Sequence, residues 1–154
     1  MKIKSVSVNN RKKTVEIELV NHRVLTLPFE KLQLKPSAQD PLVGIYVDSE
    51  LAQKAVTYTL KSGKEDSIHL EAFLDFNKDP DYLKNLLLYK LTLEVLSHLK
   101  KSSLSKNEIT RRLKTSPSQL ARLLDPKNKT KTVDNMLKLL AVLGCEVELK
   151  VKAA

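Results

Sequence analysis

The hydrophobic residues of this 154-residue chain keep one spacing up to about residue 78 and another after it. Before that point they alternate. In T-V-E-I-E-L, Val15, Ile17 and Leu19 fall on one side and Thr14, Glu16 and Glu18 on the other, the period of a half-buried strand. Ile3, Val6 and Val8 follow the same rule after one irregularity. Asn21-His22 reads as a hairpin connection to R-V-L-T-L-P, and Pro28 ends that strand because it cannot donate to a ladder. P-F-E-K-L-Q suits a short helical turn, and residues 35–41 a loop. Strands are predicted at Val43–Val47, Ala55–Leu60 and Ser67–Leu70, with a turn at Lys61–Asp66. Together these predict one small antiparallel sheet, packed on one face and wet on the other.

From Asp79 the period becomes helical. Asp79 is a candidate N-cap with Pro80 at the first helical position. The run to about Lys101 is apolar on more than one stripe: Leu83, Leu86, Leu87, Leu88, Leu91, Leu93, Val95, Leu96, Leu99. Such a helix needs cover on more than one side, from later helices, the sheet or a second subunit. Ser105 with Glu108 and Ser116 with Gln119 then form two capping boxes, the second with Pro117 at its favoured place. The turn between the two helices, Lys114–Ser116, is as short as a helix-turn-helix requires. Ile109, Leu113, Leu120 and Leu123 are the candidate contacts that set the angle between them. Thr132 caps a fourth helix, which Gly144 ends. The closing C-E-V-E-L-K-V-K, Cys145–Lys152, alternates perfectly and is predicted as a strand, paired within the chain or with a second copy. The fold class is therefore α+β: a small antiparallel β-domain at 1–78, then a four-helix domain at 79–154 with a C-terminal β-strand.

Charge follows the same division. Residues 1–80 hold 12 Lys/Arg against 11 Asp/Glu, and residues 81–154 hold 15 against 7, so almost all of the net +9 belongs to the helical part. A basic half joined to a neutral half fits nucleic-acid binding, and equally a solvated basic surface. No run of 18 apolar residues suggests a membrane span, the first residues lack the apolar core of a secretory signal, and a single Cys145 excludes an internal disulfide. A cytoplasmic protein is expected.

The stretch L-S-K-N-E-I-T-R-R-L-K-T-S-P-S-Q-L-A-R-L-L-D, Leu104 to Asp125, is followed by T-V-D-N-M-L-K-L-L-A-V-L-G and then C-E-V-E-L-K-V. These residues resemble the Cro and phage-repressor (Xre) helix-turn-helix family, over roughly Leu83 to Val151. The closest flavour is the short regulators and antitoxins that end in L-G-C-x-V-x-L. The resemblance implies a sequence-specific duplex-DNA-binding regulator, a repressor, bacterial and homodimeric, with no cofactor and no metal. Its recognition helix would be 116–124, placing Pro117, Ser118, Gln119 and Arg122 toward bases and phosphates. Three positions depart from the family: Thr110 where Ala is usual, Lys114 where Gly is usual, and Lys106 where Gln is frequent. Lys114 would then have to take a left-handed turn conformation.

On chemistry alone, Gln119 can pair with adenine or only complete its capping box, and Arg122 can reach guanine or phosphate. Lys106, Asn107 and Arg111 lie on the helix that crosses the DNA backbone in this geometry. Arg111 and Arg112 cannot both face DNA. Lys127, Asn128, Lys129 and Lys131 form a loop suited to phosphates, or simply solvated. An alternative role is a protein-interaction module, such as an antitoxin that binds a toxin through its β-half or final strand, with DNA binding secondary. RNA ranks last, because three Phe, four Tyr and no Trp make thin stacking platforms. Catalysis has little support. His22, His69 and His98 are scattered, Cys145 sits on an apolar strand face, and Ser62-Gly63-Lys64 lacks the P-loop glycine framework.

Overall fold

A computed structural model describes residues 1–153. The chain is α+β and divides into two compact units, Met1–Tyr82 and a second that begins at Leu83. The first unit holds six strands: β1 (Ile3–Asn9), β2 (Thr14–Leu19), β3 (Val24–Pro28), β4 (Leu42–Val47), β5 (Ala55–Leu60) and β6 (Glu65–His69). The single sheet expected from the sequence is instead two antiparallel three-stranded sheets, ordered β1-β2-β3 and β4-β5-β6. Val6 faces Ile17 and Val8 faces Val15, and the irregularity near the start of β1 is a register shift between Ile3 and Ser5. The hairpin at Asn21-His22 turns with His22 at φ 66°.

One apolar core serves both sheets, built from Val15, Ile17, Leu19, Leu25, Leu27, Val56, Tyr58 and Leu60 among others. β5 departs from the packed-and-wet pattern, because Ala55, Val56, Thr57 and Tyr58 are all buried. Its polar groups are satisfied inside. The Thr57 hydroxyl lies 2.7 Å from Asp48 Oδ2 and 2.8 Å from Ser67 Oγ. The Tyr58 hydroxyl donates to the Leu34 carbonyl at 2.6 Å, and burial pushes its pKa up to about 12.

The strand expected at Ser67–Leu70 is there as β6, which starts two residues earlier, at Glu65, and stops at His69; Leu70 instead opens a helix the sequence did not announce, α1 (Leu70–Phe76). Its Leu70, Phe73 and Leu74 complete the core. Asn77 follows at the C-cap and Lys78 takes the left-handed conformation, φ 52°, that glycine usually supplies there.

α2 (Pro80–Lys101) starts as expected: Asp79 accepts the Tyr82 N–H at 2.8 Å. Asp79 is also buried against Arg23, 2.6 Å away. The backbone N–H of Tyr82 and then the Arg23 guanidinium hold its carboxyl below the usual range. Tyr82 packs on the β-unit core, which explains why the division falls after the first turn of α2 and not before its cap.

In the second unit α2 is joined by α3 (Lys106–Leu113), α4 (Pro117–Leu124) and α5 (Val133–Val142). Leu88 and Val95 pack with Ile109, Leu120, Met136, Leu139 and Leu140. That covers one stripe of α2. Tyr89 and Leu93, with the half-buried Leu86 and Leu96, follow helical spacing on another side, and Tyr89 and Leu93 are exposed. Gly144, φ 78°, ends α5, with the Cys145 N–H donating to the Leu140 carbonyl at 2.9 Å.

The C-terminal segment does not pair within the chain. Residues 145–153 form no strand, and Val147, Leu149 and Val151 are 48, 87 and 82% exposed. Alternation prepares a strand but does not make one, since a ladder needs a second backbone.

Candidate nucleic-acid interface

The α3–α4 pair is defined by its caps. Ser105 Oγ accepts the Glu108 N–H and Ser116 Oγ accepts the Gln119 N–H, both at 3.2 Å. Only this half of each box forms among the described residues, because the Glu108 and Gln119 side chains go elsewhere. Glu108 takes Arg111 Nε at 3.0 Å and Arg112 Nε at 2.9 Å, and the two guanidiniums pull its carboxyl down to about 2. The Gln119 amide makes no hydrogen bond among the described residues, so completing the cap is not what occupies it.

Lys114 joins the two helices in the left-handed conformation, φ 54° and ψ 46°. A lysine there carries strain that glycine would not. Lys114→Gly is expected to stabilise the protein by about 0.5–1 kcal/mol, the relieved strain less the extra freedom of glycine in the unfolded chain. A lower urea midpoint for that variant would contradict this account of the turn. Thr110 is buried, its hydroxyl donating to the Asn107 carbonyl at 2.7 Å. Beside it a gap of about 100 Å³ remains between α3 and α4, lined by Thr110, Leu120 and Ala121 among others.

Pro117, Ser118, Gln119 and Arg122 are all exposed on α4, as are Lys106 and Asn107 on α3. Among the described residues the side chains of Lys106, Lys114, Arg122, Lys127 and Lys129 have no ion-pair or hydrogen-bond partner. Arg111, by contrast, is tied to Glu108.

Two residues of the basic loop have other work. Lys131 is only 7% exposed, and its ammonium donates to the Leu123 and Asp125 carbonyls at 3.0 and 2.7 Å. It closes the C-terminal end of α4, where a cation is favoured. Burial lowers its pKa, against a raising influence from Asp125. Asn128 Nδ2 donates to the Arg122 carbonyl at 3.0 Å, while its Oδ1 accepts from Thr130 N and Oγ1. Lys131 and Asn128 therefore shape the loop from within. Lys127 and Lys129 remain on its outside.

The sequence reading missed the neighbours of Gln119. Lys114, Thr115, Gln119, Asn135 and Lys138 line a polar cleft of about 210 Å³ between the turn, α4 and α5. Asn135 and Lys138 are spaced i, i+3 on α5, away from buried Met136, Leu139 and Leu140, and that spacing is the signal that would have found them. Among the described residues no group of three or more His, Cys, Asp or Glu is placed to hold a metal ion, and no helix is long and apolar enough to cross a membrane.

No family model, no curated protein and no solved structure matches the chain.

Proposed function

We propose that the chain is a sequence-specific duplex-DNA-binding regulator, a repressor that acts as a homodimer, with α3 and α4 as a helix-turn-helix and 116–124 as its recognition helix. One observation carries this reading. Gln119 and Arg122 stand exposed on α4 beside Ser118, with no side-chain partner among the described residues, while the nearby Arg111 and Arg112 are already paired with Glu108. An amide and a guanidinium free on one short helix are what the major groove rewards. Gln119 supplies the donor and acceptor that adenine requires, and Arg122 the fork for guanine or a phosphate. Lys106, Lys114, Lys127 and Lys129 are the cations available to hold phosphates on either side.

The test is binding to the duplex upstream of the protein's own gene, against random duplex, at two salt concentrations. If these four lysines and Arg122 each meet a phosphate, the logarithm of affinity falls with the logarithm of salt at a slope of about −4 to −5 per chain. Arg122→Ala is expected to weaken binding by about 1–3 kcal/mol without changing thermal stability. Salt-independent binding, or an unchanged affinity for that variant, sinks the reading and directs attention to a protein partner.

A further inference from the structure

The near-neutral balance of the β-unit conceals a segregation of charge. Three of its connections, residues 9–13, 35–41 and 61–64, hold six Lys/Arg and one Asp, whereas the rest of residues 1–80 holds six Lys/Arg against ten Asp/Glu. The topology gathers all three connections at one end. The Ile3 N–H, at the start of β1, donates at 2.8 Å to the Gln53 carbonyl in the turn after β4, and β1 lies beside β4. The two strands therefore run opposite ways, and the turn that leaves β1 arrives at the end of the unit where β4 begins. The β5–β6 turn is tied to that same end. The Lys61 N–H donates to the Pro41 carbonyl at 2.9 Å, and the Ser62 N–H and hydroxyl both donate to Asp40 at 2.7 Å.

Arg11, Lys12, Lys13, Lys35, Lys61 and Lys64 are all exposed, and among the described residues none of their side chains has an ion-pair or hydrogen-bond partner. The carboxylates nearby do not neutralise them. Asp40 is committed to Ser62, and Glu65 accepts the Thr59 hydroxyl at 3.2 Å. Glu30 and Lys31 border the end and add one charge of each sign. The three connections contain no aromatic residue and no Leu, Ile, Val or Met.

We infer that this end of the β-unit is a second phosphate-binding surface, one that holds the backbone of duplex DNA without reading its sequence. Lys and Arg set among Asn9, Asn10, Gln39 and Ser62 are the side-chain types that contact phosphates. A membrane surface would call for an apolar or aromatic wedge beside the cations, and single strands for aromatic platforms; these connections carry neither. The inference takes duplex DNA as the partner from the proposed function and extends it to the unit that the sequence counts as neutral.

The test is binding of the full chain to a random duplex over a range of salt concentrations. The variant carrying Arg11→Gln, Lys12→Gln and Lys13→Gln together is expected to bind about tenfold more weakly at low salt, with a log–log slope shallower by about 2–3. The pair Lys61→Gln and Lys64→Gln is expected to flatten the slope by about 2. A control pair at the opposite end, Lys2→Gln and Lys54→Gln, removes the same charge and is expected to leave the slope as it was. All seven positions are exposed, so the unfolding temperature should not move.

A triple variant with the wild-type slope overturns the inference. So does a control pair as damaging as Lys61→Gln with Lys64→Gln, because net charge alone would then be at work. Lost binding to phosphatidylserine vesicles with none lost to duplex overturns it too, and hands the surface to a membrane. Failure of the helix-turn-helix reading shows elsewhere, as equal affinity for the upstream and the random duplex. The slopes on random duplex can be read whichever way that comparison falls.

Discussion

Phe73→Ala is expected to cost the β-unit about 3–5 kcal/mol, the largest effect of any substitution considered for this protein. Phe73 is fully buried and belongs to the cluster that joins both sheets. Removing the ring takes away its transfer free energy and leaves a cavity whose walls are strands held in register by their ladders. Such walls relax little, which places the cost in the upper part of the usual range. The midpoint of urea unfolding, followed by circular dichroism, measures it. A loss below about 1 kcal/mol, well under the usual cost of such a truncation, would mean that α1 is an appendage to the core.

Leu120→Ala is the second. Leu120 is buried among Ile109, Met136 and Leu139. A Leu-to-Ala change at such a site costs about 2–5 kcal/mol, and the gap already present beside it lets neighbours move in, which favours the lower half of that span. Its contrast with Arg122→Ala is informative. The leucine variant should lose stability and lose DNA binding only in proportion, whereas the arginine variant should lose binding alone. Equal stability losses for the two would mean that Arg122 is part of the packing.

Both leucine and phenylalanine bear on what could be read from the sequence. Leu120 was legible because Ser116, Pro117 and Gln119 announce the start of α4 and the spacing of Leu120 and Leu123 does the rest. The same holds for β2, where strict alternation puts Val15, Ile17 and Leu19 inside. Phe73 was not legible as helical. Its helix has seven residues, His69 at its N-cap gives no side-chain bond, and Lys78 stands where a glycine would mark the stop. With those signals missing, the alternation of β6 ran on, to the eye, as far as Leu70. The division of six strands into two sheets was hidden for another reason: alternation says which side of a strand is apolar, not which strand lies beside it.

The candidate site was read unevenly for a similar cause. Exposure of Ser118, Gln119 and Arg122 follows from helical spacing, which sequence reports directly. The inward turn of Lys131 does not, because a lysine stem is long enough to reach either water or a helix end. Sequence alone therefore counts its charge toward the outer face as readily as toward the end of α4. Asn128 shares that ambiguity, since an amide can serve a ligand or two backbone groups equally well.

Among the described residues, those other than glycine that take positive φ are Lys13, His22, Ala52, Gln53, Lys78 and Lys114. Their own side chains do not favour that conformation, and in the β-unit the local help comes from neighbours: Asn9 accepts the Lys12 N–H, Asn21 the Arg23 N–H, and Asp48 those of Glu50 and Leu51. Short polar side chains thus close these turns where glycine is absent, and the strain of each left-handed residue in them is borne by a bond that its own turn supplies.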